Sequence, residues 1–347
     1  MDNSVAANPK SHEAALRITG LDGLRAISVA SVVAYHVGVP RNTFTWGSFG
    51  VGIFFVISGY LITYLLCLEE AKYDRISLRG FYVRRAFRIL PPAMVYLLSI
   101  AFLTSPGDLL HCALFVRNLS SGPQVTEHFW SLAIEEQFYL LWPAIFLLLG
   151  SNKTRLRVGV ALCVLAPFWR HLSMHLAGGP AHMNGFRFDL RYDGLLIGCC
   201  LALARHEDIL QRWRFLQSRW TALAAVAAVW LSLAHITPGF ISASVSSLGV
   251  AAVINYASEH PGGPLNWRPV AWLGRISYSL YLWQQVFLLG LPQLQRLYPY
   301  NILLAVLAAC ASYYFVEQPA LRLRNRRARR KRAAVAVPEL AAEAVEA

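Results

Sequence analysis

The sequence predicts an all-α, polytopic membrane protein with about ten transmembrane helices and both termini in the cytoplasm. Three observations predict it. The chain of 347 residues is 56% hydrophobic with a positive mean hydropathy, too apolar for an ordinary soluble domain. Its apolar residues gather into runs of the length that crosses a bilayer. Its Lys and Arg gather between alternate runs, as the positive-inside rule requires.

The apolar runs place spans near 22–40, 48–67, 90–105, 129–149, 157–172, 190–204, 220–237, 240–256, 272–290 and 301–316. A further apolar stretch, 108–117, is too short to cross and reads as an interfacial or re-entrant piece. With the N-terminus inside and ten spans alternating, 26 of the 32 Lys and Arg fall on the cytoplasmic side. Arg41, Arg117, Arg170, Arg187, Arg191 and Arg296 are left outside. Counting 108–117 as a crossing would turn the later basic loops outward. The first span carries Asp22 and Arg25 and does not have the pattern of a cleavable signal. Residues 1–16 read as a disordered cytoplasmic tail, 17–324 as the membrane domain, and 325–347 as a basic, then disordered, cytoplasmic tail. The net charge of +13 follows from the inner loops. A basic run directly after a span meets anionic lipid headgroups rather than nucleic acid. The six cysteines lack metal-ligand spacing and read as small packing residues. His171 and His175 share a helical face, but no third ligand is evident and no metal is expected. There is no internal repeat, which weighs against a secondary transporter.

Ionisable groups inside the spans carry the functional signal, because lipid makes them costly. Arg25 and His36 lie eleven residues apart in the first span, close to three helical turns. They therefore share a face, roughly 16 Å apart along the axis. Arg85 and Arg88 share a face of a short helix at the cytoplasmic surface, a good clamp for phosphates. Glu135 and Glu136 sit side by side within the fourth span, pointing about 100° apart. Arg187, Asp189, Arg191 and Asp193 open the sixth span, where they either pair with one another or line a cavity. His36, the two glutamates and this cluster fall at a similar depth in the outer half of the membrane, which argues for a catalytic or transport cavity. Ser277, Tyr281 and Gln284 recur at helical spacing and offer a polar face. The small residues from Gly50 to Gly59 read as a helix-packing surface. Glu317 closes the last span, where an inner-loop arginine is a natural partner.

With these residues placed, the chain resembles the membrane acyltransferase-3 family of bacterial O-acyltransferases, from about Leu21 to Arg324. Arg25 and His36 match its Arg-x10-His signature, and Arg85 and Arg88 its Arg-x-x-Arg signature. The blocks Phe54–Gly59, Phe129–Tyr139, Arg191–Gly198, Ser277–Trp283 and Glu317–Pro319 follow in the family's order. Two positions depart from it: Gly52-Ile53 stands where an acidic residue is common, and Gln284 where histidine is common. Gln284 cannot shuttle a proton.

The resemblance implies a multi-pass inner-membrane enzyme with no permanently bound cofactor. Acyl-CoA, usually acetyl-CoA, is its co-substrate, and a hydroxyl of a surface or exported glycan, or of another small molecule, is its acceptor. It implies Arg85, Arg88 and Arg25 at the donor, His36 as general base, and Glu136 or Glu135 orienting it. Arg191, Asp193, Tyr281 and Ser277 then fall to the acceptor side. The longer members' extracytoplasmic esterase-like domain has no counterpart here. Two rivals stand beside this reading. A flippase would use the same charges to move a sugar-lipid. A structural or sensing protein would be indifferent to the loss of His36.

Overall fold

The computed structural model describes residues 20–38, 45–179, 185–260 and 263–328. The predicted N-terminal tail, Arg41, His182 and the basic run beyond Ala328 lie outside them. All regular structure among the described residues is helical, as the composition predicts.

Helices stand where spans are predicted. They are α1 Leu21–His36, α2 Thr45–Tyr73, α3 Leu78–Ser99, α4 Pro106–Ala113, α5 Phe129–Leu148 and α6 Asn152–Leu176. They continue as α7 Tyr192–His206, α8 Arg219–Leu233, α9 Gly239–Glu259, α10 Arg268–Arg275, α11 Ser277–Gln285 and α12 Tyr300–Ala328. Four stretches are long and apolar enough to cross a membrane: Gly47–Tyr73, Gln124–Leu148, Gly239–Glu259 and Tyr300–Ala328. Arg219–Leu233 is a shorter apolar helix. Serine caps start several helices by accepting a backbone N–H three residues on: Ser77 from Gly80, Ser105 from Asp108, Ser151 from Thr154 and Ser218 from Thr221.

Three elements differ from the sequence expectation. The short basic helix around Arg85 is the front of α3, which runs on through Pro91 and Pro92. Each proline withholds an N–H from the helix ladder. The helix nevertheless continues through them, and Tyr278 donates its hydroxyl to the nearby Ile89 carbonyl at 2.9 Å. The predicted span at 272–290 is broken at Ile276 into α10 and α11, followed by a π-helical turn at Val286–Gly290. The last helix continues past the predicted domain end to Ala328. The 108–117 stretch is, as expected, too short to cross: α4 has eight residues, and a 3-10 turn follows at Arg117–Leu119.

The chain forms two compact units, Met1–Asp74 with Ile134–Ser277, and Arg75–Ala133 with Tyr278–Ala347. In the first, Leu24, Ile53, Val56, Tyr60, Ile197 and Ile254 form one buried core. Glycine lets α2 and α7 touch backbone to backbone there. A Cβ on Gly59 would stand 1.8 Å from the Leu195 carbonyl oxygen, and one on Gly198 2.1 Å from that of Val56. The small-residue surface read from the sequence is therefore a packing surface at Gly59. Many large apolar side chains remain outward, Leu98, Leu148 and Phe315 among them, as suits helices whose solvent is lipid.

Candidate active site

In the first unit, α1 is helical throughout from Arg25 to His36, so the two share a face as the spacing predicts. Arg25 is half-buried and paired within the helix to Asp22 at 3.7 Å. His36 is the last residue of α1, half-buried, with its ring 5.4 Å from that of Tyr35. Helix α2 runs antiparallel to α1. Ser28 donates to the Gly50 carbonyl, and Gly47 backs onto the Tyr35 ring.

Glu135 is half-buried and accepts hydrogen bonds from the Ser58 hydroxyl and from Tyr139, the latter at 2.7 Å. One step further along α2 and α5, Trp142 donates to Thr63 at 2.8 Å, so these helices run parallel and in register. This register separates Glu135 from the end of α1. Ser58 stands about 16 Å along α2 from Gly47, which abuts Tyr35, so Glu135 lies toward the Arg25 end. Glu136 points about 100° away from Glu135 on the same helix.

The cluster opening α7 divides. Arg187 pairs with Asp189 at 2.7 Å, and Trp169 donates to Asp189 at 2.7 Å, so that carboxylate is held locally. Arg191 donates to the Gly185 carbonyl at 2.9 Å. Asp193 is bound by Arg170 instead, through two bonds of 3.1 and 2.8 Å, and it accepts from Ser244. Arg170 also donates to the carbonyls of Phe240 and Leu190. Both partners of this ion pair are buried. It ties α6, α7 and α9 together, and Arg170 is the residue the sequence reading missed. Its signal was an arginine inside the apolar run ending the fifth span. Ser277 is buried at the start of α11.

In the second unit, Arg85 and Arg88 lie half-buried on one face of α3. The Arg85 guanidinium rests over the Phe81 ring at 5.9 Å. Further along, His128 is buried among the rings of Phe129, Tyr96 and Tyr281, at 4.9, 5.2 and 5.6 Å. Tyr281 shares a 2.5 Å hydrogen bond with Ser131 and donates to the His128 carbonyl at 3.2 Å. Gln284 is fully buried and donates to Gln285. Glu317 accepts from Ser279 at 3.1 Å. Sequence reasoning placed Tyr281 on a polar face but did not single out His128, although it opens the Phe129–Tyr139 block.

A buried ion pair holds the segment that leads into His128. Arg117 meets Asp108 at 3.0 Å, and the other Asp108 oxygen accepts from Thr104 and Thr126 at 2.8 and 2.6 Å. Beside it, burial and the Asp108 charge push the Cys112 thiol up to about 12. All six cysteines are free thiols. His171 and His175 do share a face, with ring nitrogens 3.2 Å apart. Among the described residues no group of three or more His, Cys, Asp or Glu side chains is placed to hold a metal.

A family model described as an acyltransferase domain matches residues 18–316. The chain is similar to YrhL of Bacillus subtilis (strain 168), 32% identical over 351 residues that cover 87% of this chain and 54% of that protein. It is similar to the peptidoglycan O-acetyltransferase OatA of Listeria monocytogenes serovar 1/2a, 29% identical over 343 residues, 86% of this chain and 54% of that one. It is also similar to the O-acetyltransferase OatA of Staphylococcus aureus (strain NCTC 8325 / PS 47), 30% identical over 347 residues, 87% of this chain and 57% of that one. The chain thus spans about half the length of the curated relatives it matches. No solved structure matches it.

Proposed function

Because the chain belongs to the acyltransferase domain family, we propose that it moves an acyl group, acetyl first among them, from cytoplasmic acyl-CoA to a hydroxyl of a cell-surface glycan. The family match over residues 18–316 carries this reading. The relatives named O-acetyltransferases support acetyl as the group, and the one named for peptidoglycan supports a glycan acceptor. We take the ten predicted helical regions as spans of the plasma membrane with both termini inside.

Arg85 and Arg88 bind donor phosphates at the cytoplasmic mouth, with guanidinium forks matched to phosphate oxygens. Arg25, at the inner end of α1, anchors that helix or meets the donor. His36 acts as general base, since imidazole titrates near neutral pH. It takes the acceptor's hydroxyl proton as that oxygen bonds the acyl carbon, and the CoA sulfur leaves and is protonated. Glu135, which the register sets toward the Arg25 end of α1, and Glu136 beside it are assigned to the transfer step at that end rather than to orienting His36. Arg191 shapes the acceptor side, and Asp193 does so through Arg170. Tyr281 and Ser277 are each assigned to acceptor binding.

The test is acyl transfer in inverted membrane vesicles with peptidoglycan fragments sealed in the lumen and labelled acetyl-CoA added outside. Wild type transfers label, and His36→Ala and Arg85→Ala at matched expression do not. Wild-type rates in His36→Ala remove His36 as the base. A flippase needs no acyl donor and transfers no label.

A further inference from the structure

The last helix brings another arginine to the basic face of α3. Arg327, near the end of α12, lays its guanidinium over the Phe87 ring, 5.7 Å from the centroid. Both elements belong to the same compact unit. At about 100° per residue, Phe87, Arg84, Arg88, Phe81 and Arg85 follow one another around α3 in that angular order. Arg85 rests on Phe81 at one side of this row, and Arg327 on Phe87 at the other. The two rings bracket the Arg84 and Arg88 side chains. Stacking on a ring fixes where a guanidinium sits while leaving its N–H edges available to an anion. Among the described residues neither Arg88 nor Arg327 has an ion-pair partner. The result is a row of cations wider than one phosphate, with no carboxylate among the described residues answering either of these two.

We propose that Arg327 binds the 3′-phosphate of the CoA adenosine, while the α3 arginines bind its pyrophosphate. This rests on the reading of α3 as the donor site. A phosphopantetheine arm on a carrier protein has no 3′-phosphate, so Arg327 selects free acyl-CoA over a carrier-bound acyl group. The sequence hid this residue inside a run of arginines that reads as ordinary positive-inside charge.

The test uses the full chain in nanodiscs of zwitterionic lipid, with CoA and 3′-dephospho-CoA as probes in calorimetric titrations. Wild type binds CoA about tenfold more tightly than 3′-dephospho-CoA, the scale of one charge-assisted contact. Arg327→Gln lowers CoA affinity to the dephospho level and leaves 3′-dephospho-CoA unchanged, and Arg327→Lys restores part of the difference. Arg326→Gln, one residue away with the same loss of charge, changes neither. Equal wild-type affinities, equal losses for both probes in Arg327→Gln, or the same loss in Arg326→Gln overturn the inference. Arg88→Gln separates it from the underlying reading. Weakened binding of both probes there keeps α3 as the donor site whatever Arg327 does. Unchanged binding of both removes α3 from the donor site, and the inference with it.

Discussion

Arg170 directs its whole donor fork into the protein, onto Asp193 and the carbonyls of Phe240 and Leu190. Removing one partner of a buried pair strands the other charge, at a cost of about 3–5 kcal/mol. Arg170→Met should therefore lower the thermal unfolding midpoint in detergent sharply. Adding Asp193→Leu should recover much of the loss, because no buried charge then remains. A further loss in the double variant would show that the pair is worth more than its desolvation. The sequence offered Asp193 two nearby arginines, Arg187 and Arg191. Its partner stands on another helix, a tertiary choice that spacing cannot reveal. Glu135 gives a second expectation at this scale. Tyr139→Phe removes one of its donors and should slow acyl transfer several-fold, since such a bond is worth about 1 kcal/mol. An unchanged rate would leave Glu135 outside the transfer step. For His36 the sign is set by its role. A base must be neutral, so the rate should fall as pH drops through the imidazole range and level off above it.

Helices α2 and α7 are held by contacts that admit no extra atom at Gly59 or Gly198. Gly59→Ala or Gly198→Ala must push the two backbones apart, an overpacking cost of about 1–3 kcal/mol. Gly52→Ala, on the same helix with nothing within 4 Å of the added carbon, should leave stability unchanged or slightly raised, since alanine is the better helix former. Thermal midpoints of the three variants test this directly, and a loss at Gly52 equal to that at Gly59 would mean that the close contact does not govern the stripe. Most elements were legible because apolar runs announce helices whatever they pack against. The helix around Arg85 reads as short, yet α3 runs on through Pro91 and Pro92 into the next apolar run. The 272–290 run reads as one helix, yet it breaks near Gly274. There a Cβ would lie 1.7 Å from the Asp22 carbonyl oxygen, so close approach to α1 shapes the chain more than its apolarity does. There tertiary contact overrides a local signal.

Across the whole molecule, charge is distributed more sharply than any single site reveals. With 26 of 32 Lys and Arg on one side in the alternating arrangement, the positive-inside rule predicts that this side, with Arg84, Arg85, Arg88 and Arg327, is cytoplasmic. The proposed donor, acyl-CoA, bears phosphates that keep it from crossing lipid unaided, so on that reading it meets the protein from the cytoplasm. Inverted vesicles should therefore transfer label from added acetyl-CoA, whereas sealed right-side-out vesicles of the same preparation should not until they are permeabilised. The acceptor has the opposite constraint. A glycan outside the cell reaches only the other mouth, so right-side-out vesicles preloaded with acetyl-CoA should acylate added glycan. Transfer from external acetyl-CoA in sealed right-side-out vesicles would reverse the orientation and move the arginine row to the wrong face. Transfer in inverted vesicles with glycan confined to the lumen would instead join a cytoplasmic donor to an external acceptor through one chain.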